Sequence, residues 1–271
     1  MRCAVLGDPV AHSLSPALHG AGYAAVGLDW WYGAVRVPAG EVEAFLASLG
    51  DEWRGLSVTA PLKREALALA DAVSERAVLA GSANTLVRVD EEWHADNTDL
   101  PGAVAAVRER YDGTVSAGTI LGAGATAAST GLALCELGAS HVRLLARDPS
   151  RASETVEAIR RHPSGAEVEV LPLDGGTVTG EVVVSTVPAE AQSDAVVGLC
   201  ADAGVVFEVL YDPWPTPLAA AAASRGQVVV GGLDLLVHQA ALQFTAFTGV
   251  PAPLDAMRAA GEAELRTRSQ G

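Results

Sequence analysis

The chain has 271 residues, enough for one large or two ordinary domains, and 49% of them are hydrophobic. Its 33 acidic against 18 basic side chains leave a net charge of −15, which argues against nucleic acid or an anionic membrane as the main partner. Cys3, Cys135 and Cys200 are too scattered for a disulfide framework or a zinc site, the first apolar run (3–6) is too short for a signal peptide, and no run approaches the ~20 residues of a membrane span, so a soluble cytoplasmic protein is expected.

In chain order, Arg2–Leu6 reads as a buried strand ended by Gly7-Asp8-Pro9. The loop His12-Ser13-Leu14-Ser15-Pro16 then leads into a helix over Ala17–Val26, with Ser15 as N-cap and Pro16 at the first helical position. Free backbone N–H groups and two hydroxyls would converge there on a carboxylate, although on its own the segment is more simply a capped helix. Trp30–Val37 reads as a strand, Glu41–Leu49 as a helix, and Gly55–Val58 as a third strand running into Thr59-Ala60-Pro61.

Of the 18 basic side chains only one is a lysine, Lys63. Pro61 fits a helix start, which places Lys63 in the first turn of a helix reaching about Ala70. The positive end of the helix dipole disfavours an ammonium there, a placement poor for stability and useful for proton transfer. Survival of a single lysine by chance remains the plain alternative.

A short helix over Ser74–Leu79 precedes Gly81-Ser82-Ala83-Asn84-Thr85 and a strand over Leu86–Val89. The chain returns through Trp93-His94 to the polar row Asp96-Asn97-Thr98-Asp99, where Asp99 reads either as the cap of a helix over Ala103–Arg110 or as part of a site.

Next comes strand Thr119–Leu121, then Gly122-Ala123-Gly124-Ala125-Thr126-Ala127, helix Ala128–Leu137 and strand His141–Ala146. Strand, G-x-G-x-x-A, helix, strand is the context a dinucleotide fingerprint requires. Gly122 makes the tight turn, Gly124 admits a pyrophosphate to the backbone, and Ala127 packs helix on strand. At the end of the second strand, where an NAD site places an acid, stand Arg147 and Arg151, a pair suited to a 2′-phosphate and hence to NADP. Asp148 between them weakens that inference, and both arginines also read as solvated charges.

Helix Glu154–Arg161 and strands Glu167–Leu171, Val182–Ser185 and Val205–Leu210 follow. The proline-rich segment from Tyr211 to Pro217 should be rigid and extended. Helix Leu218–Arg225, strand Gln227–Val230, Gly231-Gly232 and helices over Leu233–Phe247 and Leu254–Arg266 complete the chain. Gln239 interrupts an apolar helix face, so it is either exposed or in contact with a polar ligand.

Seven motifs in colinear order resemble shikimate dehydrogenase. They are Gly7-Asp8-Pro9 with 12–16, Ser57 to Lys63, Gly81 to Thr85, Asp96 to Asp99, Gly122 to Ala125, Tyr211 before Thr216-Pro217-Leu218, and Val237-His238-Gln239. The resemblance implies an α/β protein of two domains around a cleft. An open α/β substrate domain (1–100 with 233–271) takes back the C-terminal helices, and a Rossmann-type NADP domain spans 101–232. It implies reversible hydride transfer between shikimate and 3-dehydroshikimate, in chorismate and aromatic amino-acid biosynthesis. Ser13, Ser15 and Tyr211 would hold the carboxylate, and Thr59, Lys63, Asn84, Asp99 and Gln239 the ring hydroxyls, with Lys63 and Asp99 catalytic. Gly122, Ala123, Gly124, Ala125, Thr126, Arg147 and Arg151 would bind NADP, joined by Glu75, Val209 and Gly232, and no metal is called for.

Some positions depart from the family pattern. Ser57 replaces the usual asparagine, with loss of one supporting contact or its replacement by water. Asp148 puts strict NADP use in doubt, Ser185-Thr186-Val187 replaces Asn-Ala-Thr, and Asp234 replaces a glycine. A quinate/shikimate dehydrogenase with NAD or dual cofactor use, and a non-catalytic shikimate- or nucleotide-binding regulatory module, stay open as alternatives. A homodimer stays open as the assembly.

Overall fold

The computed structural model describes residues 1–270. In order, its first elements are β1 (Arg2–Gly7), α1 (Ser15–Ala25), β2 (Trp31–Arg36), α2 (Val42–Ala47), β3 (Trp53–Val58) and α3 (Lys63–Leu69). Next are β4 (Ala72–Val73), α4 (Glu75–Ala80), β5 (Thr85–Val89), β6 (Glu92–Asp96), α5 (Asp99–Arg110), β7 (Ala117–Leu121) and α6 (Ala125–Glu136). After β8 (His141–Ala146) come α7 (Ser153–Arg160), β9 (Glu167–Pro172), β10 (Val182–Ser185), α8 (Asp194–Leu199) and β11 (Val205–Glu208). The chain closes with α9 (Pro217–Ser224), β12 (Val228–Val230), α10 (Gly232–Thr248) and α11 (Leu254–Gln270). Two compact units result: Met1–Thr98 with the chain from Leu236 on, and Asp99–Leu235.

The first unit holds a six-stranded sheet in the order β2-β1-β3-β5-β6-β4. β1 runs parallel to both neighbours, while β5 is antiparallel to β3 and β6. Successive side chains of a strand point to opposite faces of its sheet, and Cys3, Ala4 and Leu6 are all wholly buried, so both faces of β1 are covered and it reads as an unbroken apolar run. The C-terminal helices return to this unit. A side chain at Gly22 of α1 would place its Cβ 2.9 Å from Phe244 of α10 and 3.3 Å from Met257 of α11, so only glycine lets these helices approach so closely. Gly55 likewise makes room for Phe247. Phe244 and Phe247 are buried to 0% and 1% exposure, and a side chain of this kind stabilises by about 1.5–3 kcal/mol when fully buried.

The second unit is a wholly parallel sheet in the order β12-β11-β10-β7-β8-β9. The strand order reverses between β7 and β10, the switch point beside which ligands bind in doubly wound folds. Ile120, Val142, Leu144, Val182, Val184 and Phe207 form the middle of one core.

Several boundaries differ from the sequence reading. Ser15 does not cap α1: the fully buried Leu14 is drawn into the cap position, and the Ser13 hydroxyl accepts from the Ser15 N–H at 3.2 Å. Pro61 precedes α3, and Lys63 is the helix's first residue. α5 starts at Asp99, so Pro101 lies in its first turn, where a missing N–H is harmless. Helix α6 springs directly from Gly124, three residues earlier than expected. Elements not read from the sequence include the two-residue β4, the strand β6 and the six-residue α8.

His19 of α1 is wholly buried and stacks on the Tyr32 ring at 4.1 Å with an angle of 6° between the planes. Burial lowers its pKa from 6.5 to about 3. Unfolded His19 takes up its proton near pH 6.5, so between there and about pH 3 unfolding binds a proton and stability falls as the pH falls. The expected slope is at most about 1.4 kcal/mol per pH unit from this residue. His19→Phe keeps the stacking and should flatten the stability–pH curve between these values, measured by urea unfolding. An unchanged slope would show that His19 is not linked to folding.

Candidate functional site

In the first unit, the loops leaving β1 and β3 are stitched together. The Thr59 N–H bonds Leu6 O at 2.8 Å, and the Asp8 N–H bonds Ala60 O at 3.2 Å. Gly7 is required here, since a Cβ would fall 2.4 Å from the Thr59 methyl. The turn from Thr59 to Leu62 then delivers Lys63, half-buried, and its carbonyl accepts from the Ala83 N–H at 2.8 Å. That bond brings the segment 81–85 beside the start of α3. Ser13 is half-buried and Ser15 almost wholly buried.

Asn84 is 2% exposed and fully engaged. Its Oδ1 accepts from the Thr98 N–H at 2.8 Å and from the Thr85 hydroxyl at 2.8 Å, while Nδ2 donates to Thr98 Oγ1 at 2.9 Å and Gln239 Oε1 at 3.2 Å. Gln239 is therefore neither exposed nor dependent on a ligand for a partner. It is buried, bonded to Asn84, and donates from Nε2 to Leu236 O of its own helix at 3.1 Å. The polar row after β6 is not a simple turn either. Asp96 pairs with Arg76 and accepts from Ser74 at 2.5 Å, Asn97 donates to Ser82 O at 3.0 Å, and Thr98 serves Asn84. Burial opposes ionisation of Asp96, but the bonds from Arg76 and Ser74 outweigh it and hold the carboxyl below its usual range. Asp99 follows as the first residue of α5 and is 7% exposed. Glu75 is exposed at the start of α4, which Ser74 caps through the Ala77 N–H.

Ser57 is bonded on both sides of its hydroxyl. Its hydroxyl accepts from the Tyr32 phenol at 2.5 Å and donates to Gln243 Oε1 at 2.7 Å. Tyr32, Thr85, Thr98 and Gln243 did not figure as site residues in the sequence reading. Gln243 was findable, because it lies one helical turn after Gln239 on the same apolar face.

In the second unit, the turn after β7 is set by Gly122 at φ +115°, a conformation that favours glycine. A Cβ there would lie 2.2 Å from the hydroxyl of Thr186, which itself donates to Leu121 O at 2.9 Å. Gly124 is exposed, caps α6, and has open space where its Cβ would stand. Ala123, Ala125 and Thr126 are half-buried around it, and Ala127 is wholly buried. An exposed glycine turn at the start of a 12-residue helix presents unshared N–H groups and fits the phosphates of a dinucleotide. Arg147 and Arg151 are exposed just beyond β8. The Asp148 carboxylate accepts from the Ser150 hydroxyl at 2.6 Å and its N–H at 3.1 Å, bonds that hold its pKa below the usual value.

The loop after β11 is anchored by Glu208, which is wholly buried. It accepts from Gln192 Nε2 at 2.6 Å, from the Thr216 hydroxyl at 3.0 Å and from the Leu210 N–H at 3.1 Å. Burial pushes its carboxyl above the usual range despite those bonds. This loop carries half-buried Val209 and Tyr211. Gly232 lies against it: a Cβ would fall 2.3 Å from Val209 O. Asp234 has a local task, accepting from the Gly231 N–H at 3.0 Å and from Arg110 at 2.8 Å. Among the described residues no helix is long and apolar enough to cross a membrane.

Residues 5–86 match the shikimate dehydrogenase substrate binding domain, and residues 232–260 the shikimate 5′-dehydrogenase C-terminal domain. The chain is 38% identical to the shikimate dehydrogenase (NADP(+)) of Dinoroseobacter shibae, over 96% of each protein. Among solved structures, shikimate dehydrogenase of Mycobacterium tuberculosis superposes with a TM-score of 0.89 at 42% identity, covering 97% of this chain and 99% of that one. Shikimate 5-dehydrogenase of Thermus thermophilus, in complex with NADP(H) and shikimate, gives a TM-score of 0.87 at 31% identity, covering 98% and 100%.

The two turn glycines should respond differently to a methyl group. Gly122→Ala forces both a positive φ and a clash with Thr186, and should lower the unfolding free energy by about 1–3 kcal/mol. Gly124→Ala meets open space in an extended backbone and should change it by less than about 0.5 kcal/mol. Denaturant unfolding of the two variants checks this. Equal losses would contradict the assigned geometry.

Proposed function

The chain belongs to the shikimate dehydrogenase family, and on that premise we propose that it catalyses reversible, NADP-dependent hydride transfer between shikimate and 3-dehydroshikimate. The likeness that runs along nearly the entire chain to an enzyme solved with both NADP(H) and shikimate carries this reading. The fold supports it, with a buried array of amides and hydroxyls in one unit and a glycine turn suited to phosphates in the other. We assign substrate binding to the first unit and NADP binding to the second. By family the reaction belongs to chorismate and aromatic amino-acid biosynthesis in the cytoplasm, and a homodimer is the assembly to test by sedimentation.

Shikimate is an acid carrying three ring hydroxyls, so its site needs one anion-binding end and several directional donors and acceptors. Ser13 and Ser15, with Tyr211, are proposed for the carboxylate. Thr59, Lys63, Asn84, Asp99 and Gln239 are proposed for the hydroxyls. When bound, NADP(H) supplies the hydride acceptor or donor. Gly122, Ala123, Gly124, Ala125 and Thr126 would hold its pyrophosphate, Arg147 and Arg151 its 2′-phosphate, and Glu75, Val209 and Gly232 would lie along the rest.

Reduction of the ketone leaves an alkoxide-like oxygen that needs a proton, and oxidation needs the same proton removed. Lys63 is proposed to give and take it, with Asp99 as the second acid–base residue. An ammonium can do this, whereas a guanidinium stays protonated and can only donate hydrogen bonds. In a chain whose other permanent cations are all arginines, that distinction gives the single lysine its meaning. The capping bonds of Asp148 also favour NADP, because a carboxylate occupied by Ser150 is not poised to bind a ribose hydroxyl.

Shikimate-dependent formation of NADPH, followed at the nicotinamide absorbance, tests the reading. A protein that binds both ligands without turnover would instead be a regulatory module. Lys63→Ala should lower kcat by about 10²–10⁴-fold, the usual contribution of a positioned acid–base group, with a much smaller change in shikimate binding. A near-normal kcat would remove Lys63 from the role. Arg147→Ala should reduce kcat/KM with NADP by roughly 10–100-fold, as expected for one charge-assisted contact, and leave the value with NAD unchanged. Equal losses with the two cofactors, or a wild type that prefers NAD or quinate, would contradict the cofactor and substrate assignment.

A further inference from the structure

Tyr32, Ser57 and Gln243 have no place in the proposed reaction, yet they form one buried chain of hydrogen bonds ending on Asn84. Their exposures are 8%, 4% and 1%. The direction of every proton in the chain follows from backbone groups. Gln243 Nε2 donates to the carbonyl oxygen of Asn84 at 3.0 Å, and a carbonyl can only accept, so the amide orientation of Gln243 is set. Its Oε1 therefore faces Ser57 and takes the single Ser57 hydroxyl proton at 2.7 Å. The Ser57 oxygen is left as acceptor, and Tyr32 must donate to it.

The other branch is equally determined. Gln243 Nε2 also donates to Thr85 Oγ1 at 3.0 Å, which turns the Thr85 proton towards Asn84 Oδ1 at 2.8 Å. The same Oδ1 accepts the backbone N–H of Thr98 at 2.8 Å. Asn84 therefore cannot flip, its Nδ2 is aimed at Thr98 Oγ1 and Gln239 Oε1, and the polarity of Gln239 is set in turn.

We infer that Tyr32, Ser57 and Gln243 are positioning residues for the hydride-transfer reaction, a proton-ordered strut that fixes which ends of Asn84 and Gln239 donate and which accept. The inference rests on the reading that Asn84 and Gln239 hold the substrate. A ligand with several hydroxyls on a rigid ring is distinguished by the pattern of donors and acceptors that meets it, and a buried amide free to turn over would offer two patterns. Burying polar groups of this kind is unfavourable unless all are satisfied, and an apolar core would be the simpler packing. A strut that ends on the two amides assigned to the substrate gives those groups a use. Serine at position 57 is compatible with that use because one hydroxyl can accept and donate at once.

The test isolates the Ser57 hydroxyl with a pair of variants of equal shape. Ser57→Thr keeps the hydroxyl and Ser57→Val replaces it with a methyl group, so any crowding is common to both. The valine form should have a shikimate KM and Kd at least about tenfold above the threonine form, as expected when a buried bond is lost and its partners are left unmet. The Kd for NADP should be the same in the two. Tyr32→Phe should raise the shikimate KM alone as well, and should add little in the Ser57→Val background, because both break one chain. Threonine and valine forms with equal shikimate constants, a parallel loss of NADP binding, or additive effects of the two substitutions would each overturn the inference. A wild type that makes no NADPH from shikimate would overturn the functional reading, and the strut's purpose with it. An active wild type with indistinguishable threonine and valine forms overturns the strut alone. If the valine form does not fold, Tyr32→Phe against wild type decides the matter by the same split between shikimate and NADP.

Discussion

Almost no water reaches Asn84, so every polar atom it carries must be met by protein, and meeting them joins four parts of the first unit. Its main chain bonds strand β3 through the Val58 N–H at 2.7 Å and the end of β6 through Asp96 O at 3.1 Å. Its side chain takes the Thr98 N–H just before α5 and reaches Gln239 on α10. An unmet buried polar group costs about 1–3 kcal/mol, so displacing any one of these partners is penalised at several places at once. The strands could form without this residue, but the mutual placement of the loop ends within the unit could not be so narrowly set.

The second unit meets its proposed ligand by different means. Its candidate surface is mostly backbone: a glycine turn, a helix start, and a close approach between Gly232 and the Val209 carbonyl. Side chains act mainly behind that surface. Thr186 backs the Gly122 turn, Thr155 donates to Ala123 O at 2.8 Å, and buried Glu208 ties down the loop carrying Val209 and Tyr211. Phosphates suit unshared N–H groups, which any sequence with the right turn can supply. A polyol demands donors and acceptors in a particular pattern, which requires particular side chains.

This difference explains what was legible in the sequence. The βαβ arrangement around Gly122 and Gly124 could be read because turn chemistry, helix start and strand lie within a few residues of one another. Short α8 could not, since six residues hold little periodicity and Ser193 is its main signal. The bonding of Ser57 to Gln243 spans 186 positions, and nothing local announces it. Asn84 and Gln239 could each be picked out singly, but not as partners. Asp148 and Asp234 looked like departures at a ligand surface. Each proves to hold a backbone N–H two or three residues away, a task that depends on loop geometry and not on composition.

The solitary lysine has a practical corollary. Every other permanently charged side chain of positive sign is a guanidinium, so the protein carries a single ε-amine, half-buried at the start of α3. Among the side chains of this sequence, reagents that acylate amines therefore have a single address, Lys63. In most proteins such labelling scatters over the surface and reports on nothing in particular. Here the rate at which one side chain acquires a label is a direct reading of its protonation and accessibility, without mutation and on the unaltered chain.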